Sequence, residues 1–137
     1  GVLLTSVEYI KPSEDKRFVL VDAGMNDMLR PSLYQAWHDI VPVKEKSDEA
    51  PQISDIVGPV CETGDFLGHA RHLNVAQDDI LAVKQAGAYG FTMASNYNSR
   101  GRPAEVMVSG YDARLVRERE NFDDLIRGEH LLDKDYI

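Results

Sequence analysis

The sequence predicts a mainly β fold: a β-barrel or sandwich of short strands, with one or two short helices, in a single domain covering residues 1–137. Three observations predict it. Short β-branched and aliphatic runs recur along the chain, at 2–10, 17–22, 40–43, 53–57, 80–84 and 104–109. Gly, Pro, Asn or Asp, the residues that break strands and build turns, punctuate these runs. Helical signals are few and short. A closed sheet protects the edges of so many short strands.

The elements follow in order. Val2 to Ile10 and Arg17 to Asp22 flank the charged turn 11–16 with Pro12, and read as a hairpin with a long loop. Ala23 to Asp27 turns, with Asp27 placed to cap a short helix through Met28 and Leu29; Pro31 either sits in that helix's first turn or starts a new one at 32–36. Ile40 to Val43 is a short strand, and Lys44 to Pro51 an exposed polar loop. Ile53 leads as a buried strand to Val57, where Gly58-Pro59 breaks it. Phe66 to Asn74 reads as an irregular polar loop. Its His69, Arg71 and His72 form a basic cluster whose spacing sets no ligand geometry, so no metal is expected. Ile80 to Lys84 is a strand, 87–90 a flexible turn, and Phe91 to Ala94 a strand or short helix. A polar loop spans 96–103. Ala104 to Ser109 pairs with Asp112 to Val116 around Gly110-Tyr111, and the tail from Glu118 has Phe122, Leu125, Ile126 and His130 on one helical side.

Composition narrows the function. The 137 residues are 43% hydrophobic and 28% charged, which suits an ordinary globular core. The formal net charge is -8 and the sequence pI about 4.9. An acidic chain is a poor partner for nucleic acid or an anionic membrane, so neither is expected. One cysteine forms no internal disulfide and suits a reducing cytoplasm. The start, without Met or a basic leader, reads as mid-strand and suggests a piece of a longer protein.

The cysteine lies in Gly58-Pro59-Val60-Cys61-Glu62-Thr63-Gly64-Asp65, a loop at a strand end, where scaffolds commonly present reactive groups. A free cysteine is usually a core residue. Glu62 and Asp65 argue the other way, since carboxylates resist burial unless paired.

Four stretches occur in order: Asp22-Ala23-Gly24-Met25-Asn26-Asp27-Met28-Leu29-Arg30-Pro31-Ser32-Leu33-Tyr34, the Gly58–Asp65 loop, Gly87-Ala88-Tyr89-Gly90, and the run from Asn96-Tyr97-Asn98-Ser99-Arg100 to Val106. Together they resemble the C-terminal part of the diaminopimelate decarboxylase family, over nearly the whole chain. Thr63 stands where the family commonly has serine, and Gly101 where it has proline.

The resemblance implies a Greek-key-like β-barrel, similar to the C-terminal domain of alanine racemase. It implies an N-terminal (β/α)8 barrel elsewhere in the same enzyme, carrying the lysine that anchors pyridoxal 5′-phosphate. No lysine here sits in a matching motif, so the Schiff-base lysine is expected outside this chain. The implied reaction turns meso-2,6-diaminopimelate into L-lysine, the last step of bacterial lysine biosynthesis. By resemblance Cys61 is the proton donor and Glu62 receives the distal ammonium of the substrate. Arg30 and Tyr34 bind substrate, and Tyr89 reaches both substrate and cofactor. The family is expected as a homodimer in which Cys61 and Glu62 enter the partner's active site. The rival readings are a decarboxylase of ornithine, arginine or lysine, whose substrates lack a second carboxylate, and a non-catalytic assembly fragment.

Overall fold

A computed structural model describes residues 1–46 and 50–133. Six strands form one sheet in the order β3-β6-β1-β2-β4-β5: β1 (Val2–Pro12), β2 (Arg17–Val21), β3 (Ile40–Pro42), β4 (Gln52–Val57), β5 (Phe66–Leu73) and β6 (Ile80–Lys84). The expected hairpin forms, with Val7 opposite Val21 and Pro12 opposite Arg17. β6 returns to the other side of β1, Ser6 facing Ile80. That order, β6-β1-β2-β4, is the Greek-key order, except that β4 runs parallel to β2. The edges β3 and β5 approach each other, so the sheet curls into a nearly closed barrel.

The pleat explains what fills it. Thr5 and Val7 on β1, Val19 and Val21 on β2, and Leu81 and Val83 on β6 point inward at alternate positions and are buried. Ile56, Leu67, Leu73, Met28 and Ile40 complete the core. Each such side chain contributes about 1.5–3 kcal/mol relative to exposure. A separate hairpin, β7 (Glu105–Ser109) and β8 (Asp112–Arg117), lies outside this sheet, and its Val106, Met107, Val108, Leu115 and Val116 are exposed.

Three expectations need correction, and part of a fourth lies outside the described residues. The stretch 66–74 is not an irregular loop; Phe66–Leu73 is β5, pairing with β4 along its length. Its register shifts between Ser54 and Val57, and Ala70 has φ +52°, so the strand bends where its sequence breaks alternation. Asp27 caps no helix. The N–H groups of Asp27 and Met28 both bond the Gly24 carbonyl, at 2.9 and 3.1 Å, and close a turn. The helix α1 (Arg30–Tyr34) starts after it, with Pro31 in its first turn. The tail helix is a single turn, α2 (Phe122–Leu125), begun by a capping box between Asn121 and Asp124; His130 is outside it and exposed. Of the loop expected at 44–51, residues 47–49 lie outside the described residues; Lys44 to Lys46 are exposed. Phe91–Met93 takes the helical alternative as one 3-10 turn. No helix among the described residues is long and apolar enough to cross a membrane.

Glu120 fastens the tail to the 96–103 loop. Its carboxylate accepts the Arg102 N–H at 2.8 Å, the Arg102 guanidinium and the Asn96 amide. These bonds, Arg102's first, pull its carboxyl down to about 2. A folded-state value below the unfolded one stabilises the fold above the unfolded value, and the gain fades as pH falls toward the folded one. Melts from about pH 5 to about pH 3 should therefore fall more steeply for the native chain than for Glu120→Gln. Equal slopes would show that this carboxylate is not linked to folding.

Candidate functional site

Between β4 and β5 the chain makes the loop 58–65, and one buried carboxylate holds it. Asp65 is 4% exposed. It accepts the Met25 N–H on Oδ1 and the Val60 N–H on Oδ2, each at 2.6 Å. The Gly58 N–H bonds the Asp65 carbonyl at 3.0 Å and closes the loop's neck. A Cβ on Gly58 would fall 2.4 Å from Asp65 Oδ2, so only glycine fits there. Between these anchors Cys61, Glu62 and Thr63 are exposed. The core alternative for Cys61 is thereby overturned: the carboxylate that goes inside is Asp65, and the thiol goes out. Glu62 Oε1 accepts the Thr63 hydroxyl at 3.2 Å and is otherwise open to solvent.

Helix α1 packs on β5 beside this loop. Ser32 Oγ donates to the Gly64 carbonyl at 2.5 Å, joining helix and loop. Arg30 opens the helix half-buried, and Tyr34 closes it, 62% exposed. The Arg30 guanidinium stands 5.4 Å above the ring of Tyr89, so two residues far apart in sequence form a cation–π pair. Tyr89 is exposed and holds φ at +60°, in the left-handed region that a bulky residue rarely occupies. Such strain persists where surroundings impose it, often at functional sites.

The turn before α1 is braced from the fourth motif. Arg100 Nε donates to Asn26 Oδ1 at 3.0 Å, Arg100 also bonds the Asp22 carbonyl, and the Ser95 N–H bonds the Asn26 carbonyl at 2.9 Å. Burial pushes the Asp27 carboxyl up, against the Gly24 N–H and Arg100. The four stretches singled out in the sequence thus meet pairwise, the first with each of the others. Reading residues alone missed Asp65, Ser32 and Arg100 as organisers. Each lies inside a recognised stretch, but its partner is distant in sequence.

The basic cluster does not join this site. His72 faces Ile53 across the ladder and is exposed. His69 Nδ1 is 3.2 Å from Asp55. Burial pushes the Asp55 carboxyl up, but Lys16, the Ala70 N–H and His69 outweigh that and hold it low.

A family profile described as "Pyridoxal-dependent decarboxylase, C-terminal sheet domain" matches residues 1–87. The chain belongs to that family. Among curated members, diaminopimelate decarboxylase of Pseudomonas aeruginosa is 58% identical over 132 residues, covering 96% of this chain and 32% of its own length. The enzyme of that name from Vibrio cholerae is 55% identical, with 96% and 31% covered. Among solved decarboxylases, the M. jannaschii diaminopimelate decarboxylase in complex with L-lysine superposes with a TM-score of 0.90 at 43% identity, covering 96% of this chain and 30% of its own. An arginine decarboxylase from Paramecium bursaria Chlorella virus, 16% identical with a TM-score of 0.65 over 72% of this chain and 27% of its own, shares the fold alone. The chain spans about a third of the length of the curated family members it matches.

Proposed function

We propose that residues 1–137 are the C-terminal barrel domain of a two-domain diaminopimelate decarboxylase, supplying the substrate-binding and proton-donating side of its site. The observation that carries this reading is the exposed Cys61-Glu62 pair on a loop clamped by Asp65 and tied to the helix of Arg30 and Tyr34. The names and identities of the relatives support it.

The groups present fit one side of a pyridoxal phosphate site. A phenol, a thiol, a carboxylate and a guanidinium suit the cofactor's edge and a diamino diacid. No lysine occurs in α1, the 58–65 loop or the 87–90 turn, so the anchoring amine belongs to the rest of the enzyme. Pyridoxal phosphate, when bound, supplies an electron sink for the pair left behind by carbon dioxide. This chain's residues do the remaining work. The Glu62 carboxylate receives the distal ammonium. Arg30 forks onto a substrate carboxylate, as a planar guanidinium does well, with the Tyr34 hydroxyl beside it. The Cys61 thiol delivers the proton to Cα. The Tyr89 hydroxyl faces cofactor and substrate, its ring held under Arg30.

Cys61 and Glu62 act in the site of a second subunit, which makes a homodimer the working unit. The exposed apolar side chains of β7 and β8 are the kind of surface that another domain or subunit covers, here the N-terminal barrel.

A substrate panel on the complete enzyme tests the reading. Carbon dioxide release should favour meso-diaminopimelate over ornithine, arginine and lysine. Glu62→Gln should lower kcat/KM on the preferred substrate about ten- to a hundredfold, since a charged hydrogen bond is worth about 1.5–3 kcal/mol. Preference for a substrate without the second carboxylate, or an unchanged Glu62→Gln enzyme, would overturn it.

A further inference from the structure

A groove opens between α1 and β5, lined by Pro31, Gln35, Trp37, Phe66, His69 and Arg71. Arg71 belongs to β5, and its side chain turns back across the strand. Its guanidinium lies 3.1 Å from the Trp37 ring centroid on one face. Gly68 is also close to it, since an added Cβ there would fall 2.5 Å from Nε. The residue is only 6% exposed.

This packing covers Nε and gives it no acceptor among the described residues. Nε is buried and makes no hydrogen bond among the described residues. No described carboxylate pairs with Arg71 within 4 Å. Asp39, whose charge attracts it, is engaged by the Trp37 indole N–H at 3.0 Å. Asp55, the carboxylate beside His69, is occupied by Lys16, His69 and the Ala70 N–H. Buried donors are almost always satisfied, and charged ones most of all. A buried guanidinium stacked against an indole, with Nε unmatched and no carboxylate paired to it, is prepared for a planar or tetrahedral oxyanion.

We propose that this groove is an oxyanion site, distinct from the candidate active site, in which Arg71 receives a carboxylate or phosphate group over Trp37. The anion comes either free from solution or as an acidic side chain from the rest of the enzyme. The chemistry at Arg71 is the same in both cases. This inference does not rest on the proposed decarboxylase reaction.

The test uses the complete enzyme, titrated with inorganic phosphate and followed by calorimetry and indole fluorescence, since Trp37 is the only tryptophan of this chain. A free anion predicts saturable binding that weakens at least tenfold in Arg71→Met and in Gly68→Ala, whose new methyl displaces the guanidinium. Arg71→Lys should bind more weakly than the native protein. An acidic side chain predicts no phosphate binding, and a crystal structure of the complete enzyme with a carboxylate within hydrogen-bond distance of Arg71. No phosphate binding together with no carboxylate on Arg71 would overturn the proposal, as would binding that Arg71→Met and Gly68→Ala both leave intact. If Arg71→Met fails to fold, Gly68→Ala and Arg71→Lys still decide the matter.

Discussion

Cys61→Ala in the complete enzyme is expected to lose about 10²–10⁴-fold in turnover, the usual cost of removing a placed proton donor. Its melting temperature should stay where it was. The thiol is exposed and supports no packing, and surface substitutions away from special features usually fall within about 0.5 kcal/mol. Dimer assembly and bound cofactor should also survive, because the loop's shape depends on Asp65 and not on the thiol. Steady-state kinetics and a thermal melt on one preparation check both halves. Near-normal turnover would remove Cys61 from the proton transfer. A clear drop in melting temperature would mean that the assembled enzyme buries the thiol.

Asp65→Ala should do the reverse first. It strips acceptors from the N–H groups of Met25 and Val60, bonded at 2.6 Å. An unsatisfied buried donor costs about 1–3 kcal/mol, so a loss of about 3 kcal/mol is expected. Turnover should fall as well, measured at a temperature where the variant remains folded, because the loop that presents Cys61 and Glu62 is no longer closed. Asp65→Asn keeps one acceptor oxygen and should land between the two. Denaturant unfolding beside kinetics separates the effects. Full activity in a destabilised Asp65→Ala enzyme would show that the loop keeps its shape without this carboxylate.

The contrast between these residues marks where sequence reading reached its limit. Strands β1, β2 and β6 were legible because inward residues alternate along them; β4, whose buried stretch is Ser54-Asp55-Ile56 with Ile53 exposed, was legible from the Gly58-Pro59 that ends it. β5 was not: Gly68-His69-Ala70-Arg71-His72 contains no β-branched residue, and the strand is held by its ladder to β4 and by a buried arginine, both non-local. The tail pattern at Phe122 and Ile126 was real, yet only one turn forms, and Gly128 at φ +87° lies just beyond it. Of the candidate site, Cys61, Glu62, Arg30, Tyr34 and Tyr89 are proposed from their motifs, and the Arg30–Tyr89 pair is visible only in three dimensions. Asp65 looked like one more surface carboxylate, since nothing local announces that Met25 and Val60 bring their N–H groups to it.

The central place of β1 has a consequence in time. The half from Val7 to Pro12 is paired at once by β2 through the hairpin, but the half from Val2 to Ser6 waits for β6. During synthesis at about 5–20 residues per second, β1 stands half-paired for roughly 3–12 s between the completion of β2 at Val21 and the arrival of Ile80 opposite Ser6. Throughout that interval its backbone donors and acceptors form an open edge, the kind that recruits strands from other chains. Pairings so distant in sequence also fold slowly. The hairpin β7–β8 closes on itself as soon as it emerges and leaves this delay unchanged. The nascent domain is therefore most vulnerable to aggregation in the window between its first hairpin and its sixth strand.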